Sequence, residues 1–160
     1  MKLFLDTNVL LDILMDFRPN HDDAAAILKI VKSGVATAVL TTQSIIDASY
    51  VYSQREKQSL IQFINAIDEI MDIVEVEAIT EKNITAAMRM PFNDFEDAAQ
   101  IACSEMAGCD IIITSDHKFK EYTFAPVYTP KSFCKEVFVY PYTVMISFSL
   151  AERSSSIFLV

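Results

Sequence analysis

Lys2-Leu3-Phe4-Leu5-Asp6-Thr7-Asn8 is a short apolar run of buried-strand type that stops abruptly at an aspartate and two small polar residues. The same design returns at Cys109-Asp110-Ile111-Ile112-Ile113-Thr114-Ser115-Asp116, where a β-branched run is cut off by a hydroxyl pair and an aspartate. Each aspartate therefore stands at the carboxyl end of a predicted strand. Open α/β sheets bind their ligands outside those ends, so Asp6 and Asp116 are expected to meet in one crevice.

Outward from these runs, predicted strands at 2–5, 35–40, 72–76, 111–114 and 126–128 alternate with predicted helices at 8–16, 21–33, 43–54, 57–70, 81–89, 95–107 and 131–136. That alternation calls for a parallel sheet covered by helices. Asn20 is a good N-cap for the helix opening His21-Asp22-Asp23, and Gly34 suits the C′ place at its end. Asp94 and Gly108 bracket a later helix in the same way.

The 160 residues, 52% of them hydrophobic, suit one domain with a full core and exclude a disordered chain. Two glycines, five prolines and no low-complexity tract or repeat give no sign of a linker. Residues 1–136 are expected to form the domain, and 137–160 an apolar C-terminal extension packed on it or at an interface. Asp6 ends the first apolar stretch far short of what a secretory leader needs. Val137 to Leu150 contains Pro141 and is shorter than the roughly 20 residues of a membrane span, so a soluble, membrane-free protein is expected. Cys103, Cys109 and Cys134 are odd in number and lack C-x-x-C spacing, which fits free thiols in a reducing cytoplasm.

A net charge of −9, from 22 acidic and 13 basic side chains, argues against a general nucleic-acid binder. A site that holds cations through carboxylates is nevertheless acidic by itself, and bound divalent ions reverse the sign a phosphate meets. Five aspartates fall between a strand end and a helix or in a first helical turn: Asp6, Asp47, Asp94, Asp97 and Asp116. Asp94 and Asp97, three apart, share one face of a first turn. For Asp94 a helix cap is an equally good reading. Asp47 follows Thr41-Thr42-Gln43-Ser44-Ile45-Ile46, and its apolar flanks suggest partial burial, where a cation or a donor such as Thr42 must satisfy it. Asp12, Asp16, Asp22, Asp23, Asp68 and Asp72 are expected on helix surfaces or ends, explained by solvation. Clustered carboxylates repel, and a hard divalent cation is the simplest reason to gather them. Oxygen ligands without His or Cys favour Mg²⁺ or Mn²⁺; Ca²⁺ is chemically open, although no EF-hand loop is present.

The segments Leu5-Asp6-Thr7-Asn8-Val9-Leu10-Leu11-Asp12, Asn93-Asp94-Phe95-Glu96-Asp97-Ala98-Ala99-Gln100 and Thr114-Ser115-Asp116-His117-Lys118-Phe119, in this order and at these distances, resemble the PIN domain family, in particular VapC-type toxin ribonucleases. The likeness covers about residues 1–135 and includes Thr129-Pro130-Lys131-Ser132-Phe133, similar to the helix start that closes many such domains. It implies a three-layer α/β/α fold with a central parallel sheet of four to five strands. It also implies Mg²⁺- or Mn²⁺-dependent endoribonuclease activity, often as the toxin of a toxin–antitoxin pair, with RNA as substrate and an antitoxin protein as partner. Carried over by residue, Asp6, Asp47, Asp97 and Asp116 are the catalytic metal-binding acids, Asp94 an accessory ligand, Thr114 an orienting hydroxyl and Asn8 a hydrogen-bonding support. The chain departs from the family at Asp47, where glutamate is usual; the shorter side chain puts metal stoichiometry in question.

In that reading a cation held by Asp6, Asp97 and Asp116 activates a water for in-line attack on a phosphodiester, and a second ion steadies the leaving oxygen. His21 is incidental, and His117 is a minor alternative as proton donor. Arg55, Lys57, Arg89, Lys118 and Lys120 are candidate phosphate contacts or plain surface charge. Phe92 is a base-stacking group or core. The apolar stretches after Val137 are expected to add strands at the sheet edge, form a homodimer contact or bind a partner. A haloacid-dehalogenase-type hydrolase needs a second aspartate two residues after the first, where this chain has Asn8. A non-catalytic RNA- or protein-binding module built on the same fold is the other alternative.

Overall fold

The computed structural model describes residues 1–55, 60–91 and 94–137, and the side chain of Arg55 is not described. The expectations placed on Lys57, on Phe92 and on the extension after Val137 lie outside the described residues.

Five parallel strands form one sheet in the order β3-β2-β1-β4-β5, with β1 at Lys2–Leu5, β2 at Thr37–Thr41, β3 at Glu75–Glu77, β4 at Ile111–Ile113 and β5 at Val127–Tyr128. The helices of the described residues are α1 (Thr7–Leu14), α2 (His21–Lys32), α3 (Thr42–Arg55), α4 (Leu60–Met71), α5 (Glu81–Ala87), α6 (Phe95–Met106) and α7 (Pro130–Glu136). A single 3₁₀ turn, His117–Glu121, replaces the expected short turn after β4. This is the three-layer α/β/α arrangement that the resemblance implied, with the parallel sheet that the strand–helix alternation called for.

Strand side chains alternate between the two faces. Leu3, Leu5, Ala38, Leu40, Ile111 and Ile113 point into the larger core, shared with α1, α2, α4 and α7. Phe4, Val39 and Ile112 point the other way and pack with Ile101 of α6 and with Phe119. Every strand of the central trio is buried on both faces, which explains their continuous apolar runs. Replacing fully buried Ile112 by alanine is expected to remove about 2–5 kcal/mol of stability.

The chain leaves β1 toward β2 and β3 on one side, then returns to build β4 and β5 on the other. The strand order therefore reverses between β1 and β4, where a ligand crevice is expected. Gly34 and Gly108 follow the C-caps of α2 and α6 with φ of 77° and 68°, so both occupy the left-handed C′ place.

Three local expectations are corrected. Asn20 makes no capping bond to α2; its Nδ2 instead reaches Asp12 Oδ2 at 3.3 Å and Ser115 Oγ at 3.2 Å. Asp12 is not solvated but 1% exposed, paired with Arg18 Nε at 2.6 Å. β3 starts at Glu75 rather than 72 because Ile73 and Val74 still donate to Ile70 O and complete the last turn of α4. The three cysteines are free; Cys103 is buried, Cys109 and Cys134 only half-buried. No helix among the described residues is long and apolar enough to cross a membrane.

Candidate active site at the carboxyl ends of the strands

Asp6 is fixed by backbone before its side chain does anything. Its N–H donates to Ile113 O at 3.0 Å, extending the β1–β4 ladder by one residue, and its carbonyl accepts from Val9 and Leu10 as α1 begins. The carboxylate is thereby forced to the strand end, where it is 2% exposed. Its Oδ2 accepts from Thr114 Oγ1 at 2.7 Å and from Asn8 Nδ2 at 3.4 Å. Burial pushes this carboxyl above the usual range; Thr114, Asn8 and the Thr7 backbone oppose that rise, and the charge of Asp116 adds to it.

Thr114 is equally constrained, because its N–H donates to Tyr128 O at the edge of β5. The same Oγ1 that donates to Asp6 accepts from the Asp116 N–H at 2.9 Å. Asp6, Thr114 and Asp116 are thus one hydrogen-bonded chain across the β1–β4 junction. Asp116 then caps the 3₁₀ turn, accepting from Lys118 N at 2.9 Å.

From the other layer, α6 brings its first turn to this junction. Asp94 is its N-cap, accepting from Glu96 N at 3.0 Å and Asp97 N at 3.5 Å, and is exposed. Asp97 is half-buried, and its carboxyl is pushed up to about 7 by burial first and then by the charges of Asp94, Asp6, Asp116 and Glu96. Those neighbours place Asp97 in the same electrostatic field as the Asp6–Asp116 pair.

Asp47 stands elsewhere. Gln43 Nε2, not exposed Thr42, donates to its Oδ1 at 2.8 Å, and no N–H or hydroxyl reaches its buried Oδ2. Its carboxyl neighbour is Glu96, whose pKa is raised by burial, by the charge of Asp47 and by hydrogen-bonding contact with it. His117 is exposed at the start of the 3₁₀ turn, and His21 spends Nδ1 on Asp12 O at 2.9 Å. Lys118, Lys120 and Arg89 are exposed.

Two groups of residues near the crevice were not anticipated. Gln100, 1% exposed, donates from Nε2 to Glu96 Oε1 at 3.0 Å and to Thr7 Oγ1 at 3.4 Å, and Thr7 continues to Ser44 and Thr41. The i, i+4 spacing of Glu96 and Gln100 was the available signal. The second group is Asp12, Arg18, Asn20 and Ser115, which ties the α1–α2 connection to the loop carrying Asp116. No sequence spacing announces it.

Among the described residues no group of three or more His, Cys, Asp or Glu side chains forms a ready metal cage. The donor set of Asp6, Asp97 and Asp116 nevertheless fits a hard divalent cation: it is all oxygen, and Asp97 is raised by burial and then by the like charges gathered around it. Mg²⁺ needs only one or two protein carboxylates, the rest of its shell being water and phosphate.

The chain and its fold have known relatives. A family model described as PIN domain matches residues 2–118. The chain is similar to Ribonuclease VapC1 of Aquifex aeolicus (strain VF5), 25% identical over 142 residues, 84% of this chain and 94% of that protein. Among solved structures it resembles VapBC2 from Rickettsia felis bound to a DNA fragment from their promoter, at TM-score 0.61 and 12% identity over 81% of this chain and 98% of that one. It also resembles Mycobacterium tuberculosis VapC20, a sarcin-ricin loop cleaving toxin, at TM-score 0.60 and 17% identity over 74% and 93%.

Proposed function

The chain belongs to the PIN domain family, and from that premise we propose that it is a Mg²⁺- or Mn²⁺-dependent endoribonuclease, the toxin of a toxin–antitoxin pair, acting in the cytoplasm. The observation that carries the reading is the Asp6–Thr114–Asp116 hydrogen-bonded chain at the sheet's reversal point, facing an Asp97 pushed up to about 7.

Asp6, Asp97 and Asp116 are the residues that would hold the cation, with Asp94 at the rim. A bound cation supplies Lewis acidity to a phosphodiester oxygen and lowers the pKa of a water for in-line attack. Thr114 keeps Asp6 Oδ2 oriented by donating to it, and its bond from Asp116 N fixes the distance between the two acids. Asn8 adds a longer second donor to Asp6. Asp97 must lose its proton before it can ligate, because ligands bind deprotonated. Asp47, held by Gln43 and beside Glu96, belongs to the catalytic set through Glu96 rather than through Asp6. Exposed Lys118 and Lys120 beside Asp116 offset the acidic surface for an approaching phosphate.

A protein antitoxin and self-association into a homodimer are supported by apolar side chains left in solvent on two neighbouring helices: Ile46 and Tyr50 of α3, Leu60, Ile61 and Ile64 of α4, all more than half exposed. Residues 1–136 form the nuclease domain in this reading, with the remainder an added apolar segment.

The test is cleavage of single-stranded and structured RNA with Mg²⁺ or Mn²⁺, with chelator and with Asp6→Asn. Cleavage abolished by chelator and by the substitution supports the enzyme. Binding without cleavage under either metal supports a non-catalytic RNA-binding module instead.

A further inference from the structure

A cavity of about 170 Å³ opens beside the acidic crevice, between α3, α5 and the first turns of α6. Ile79, Ile84 and Ala99 make its walls apolar, while Gln43, Glu96 and Gln100 supply the polar atoms. Phe95, the residue between the helix cap Asp94 and Glu96, lines it with a ring that is 49% exposed. A large aromatic side chain left half in water, next to a small apolar slot one residue from the acids of the site, is arranged to stack on a planar ligand.

The charged group of the slot is a hydrogen-bond acceptor. Gln100 Nε2 is spent on Glu96 Oε1 at 3.0 Å, and Gln43 Nε2 is spent on Asp47 Oδ1 at 2.8 Å. Gln100 gives its second N–H to Thr7 Oγ1 at 3.4 Å, so both of its donors are consumed inside the protein, whereas Gln43 keeps one of its two N–H groups. The group left facing solvent with acceptor capacity to spare is the exposed Glu96 carboxylate, of which Gln100 occupies only part of Oε1. A ligand that fits must be flat, and must present hydrogen-bond donors.

Single-stranded RNA is read in this way, by stacking unstacked bases on aromatic rings and hydrogen-bonding their Watson–Crick edges. Among the four bases only guanine presents two adjacent donors there, N1–H and the N2 amino group, matching the two oxygens of a carboxylate. Adenine and cytosine set one amino group beside a ring acceptor, and uracil flanks its single N–H with two carbonyl oxygens, so each turns a lone pair toward Glu96. Resting on the ribonuclease reading above, we infer that this cavity is a nucleobase pocket that takes a guanine of the RNA strand, with Glu96 reading its donor edge and Phe95 stacking on its ring. Gln100 is a positioning residue, holding the Glu96 carboxylate in place. The pocket then sets which nucleotide lies next to the scissile phosphate.

The experiment uses the full chain carrying Asp6→Asn, to prevent cleavage, and fluorescence anisotropy on labelled single-stranded uridine octamers with a central G, A, C or U, with and without Mn²⁺. The G octamer is expected to bind about tenfold more tightly than the other three. Adding Glu96→Gln should bring the four within about twofold of one another, and Phe95→Leu should weaken the G octamer about fivefold or more. Phe95 is exposed, so its variant stays informative should Glu96→Gln fold poorly by circular dichroism. Equal affinity for the four octamers, or a guanine preference that survives both substitutions, overturns the pocket while leaving the ribonuclease reading intact. Binding of none of them overturns both. A Glu96→Gln protein with altered Mn²⁺ dependence and unchanged base preference assigns Glu96 to the cation and overturns the pocket.

Discussion

Thr114 Oγ1 donates to Asp6 Oδ2 at 2.7 Å across 108 residues of chain, and this bond sews the carboxyl end of β4 to that of β1. Both residues are buried, at 1% and 2% exposure. Thr114→Val keeps the shape and removes the donor, leaving Asp6 with only the longer bond from Asn8 and its backbone contact. The loss is expected to be about 1–3 kcal/mol, with Thr114→Ser close to the native protein. Urea unfolding midpoints of the two variants decide it: equal midpoints would mean that the bond contributes nothing.

Asp97 makes the metal-free protein pH-sensitive in a definite direction. Its carboxyl is pushed from 3.8 up to about 7, so between those values the folded protein keeps a proton that the unfolded chain has released. Asp97 therefore imposes no penalty below about 3.8, and a penalty that grows as pH rises and is complete above about 7. Buried Asp6 and exposed Glu96 are raised as well and act with the same sign. Because Asp97 is half exposed, its own share is on the order of 1 kcal/mol after solvent screening. Without metal, thermal melts should give a higher midpoint at pH 5.5 than at pH 8, and Asp97→Asn should shrink that difference. A variant whose midpoints keep the full native difference would remove Asp97 as a cause.

The Asp12–Arg18 pair anchors the connection between α1 and α2. Asp12 is 1% exposed, whereas Arg18 keeps 24% of its side chain in solvent. Arg18→Ala would leave a buried carboxylate with only Asn20 for company, a loss of about 3 kcal/mol. Changing Asp12→Asn together with Arg18→Ala should recover part of it, since an amide needs no counter-charge. Denaturant titration of the single and double variants measures this. A double variant no more stable than Arg18→Ala would mean that buried charge was not the source of the loss.

The sheet and most helices were legible because their signals are local. Apolar runs broken at Asp6 and Thr114, glycines at positions 34 and 108 and the cap at Asp94 each act within a few residues. Parallel strands buried on both faces leave short continuous apolar runs, and their length, β-branched content and polar stops separate them from a buried helix. What escaped was long-range polar pairing. Asn20 has the composition of a cap but finds Ser115, 95 residues away, and Asp12 looks like a surface acid until Arg18 folds back over it. Glu96 was hidden by its own neighbours, since Asp94 and Asp97 drew the metal-ligand reading. Its meeting with Asp47 depends on how α3 and α6 approach across the sheet.

Asp6→Asn separates a cation ligand from a scaffold residue through opposing signs. Asp6 is a buried carboxylate raised by desolvation and by the charge of Asp116, so replacing it with a neutral amide removes both penalties in the metal-free protein. An unchanged or higher melting temperature is expected without metal, despite the altered bond to Thr114. With Mn²⁺ the order should reverse. A cation bound only by the folded protein stabilises it by mass action, about 2.7 kcal/mol at a hundredfold excess over Kd, and the variant forfeits most of that gain. A scaffold role predicts the opposite pair of results: a lower melting temperature in chelator, and the same Mn²⁺ increment in both proteins. Differential scanning fluorimetry of the two proteins over a Mn²⁺ series reads both quantities at once, and needs no RNA substrate to do so.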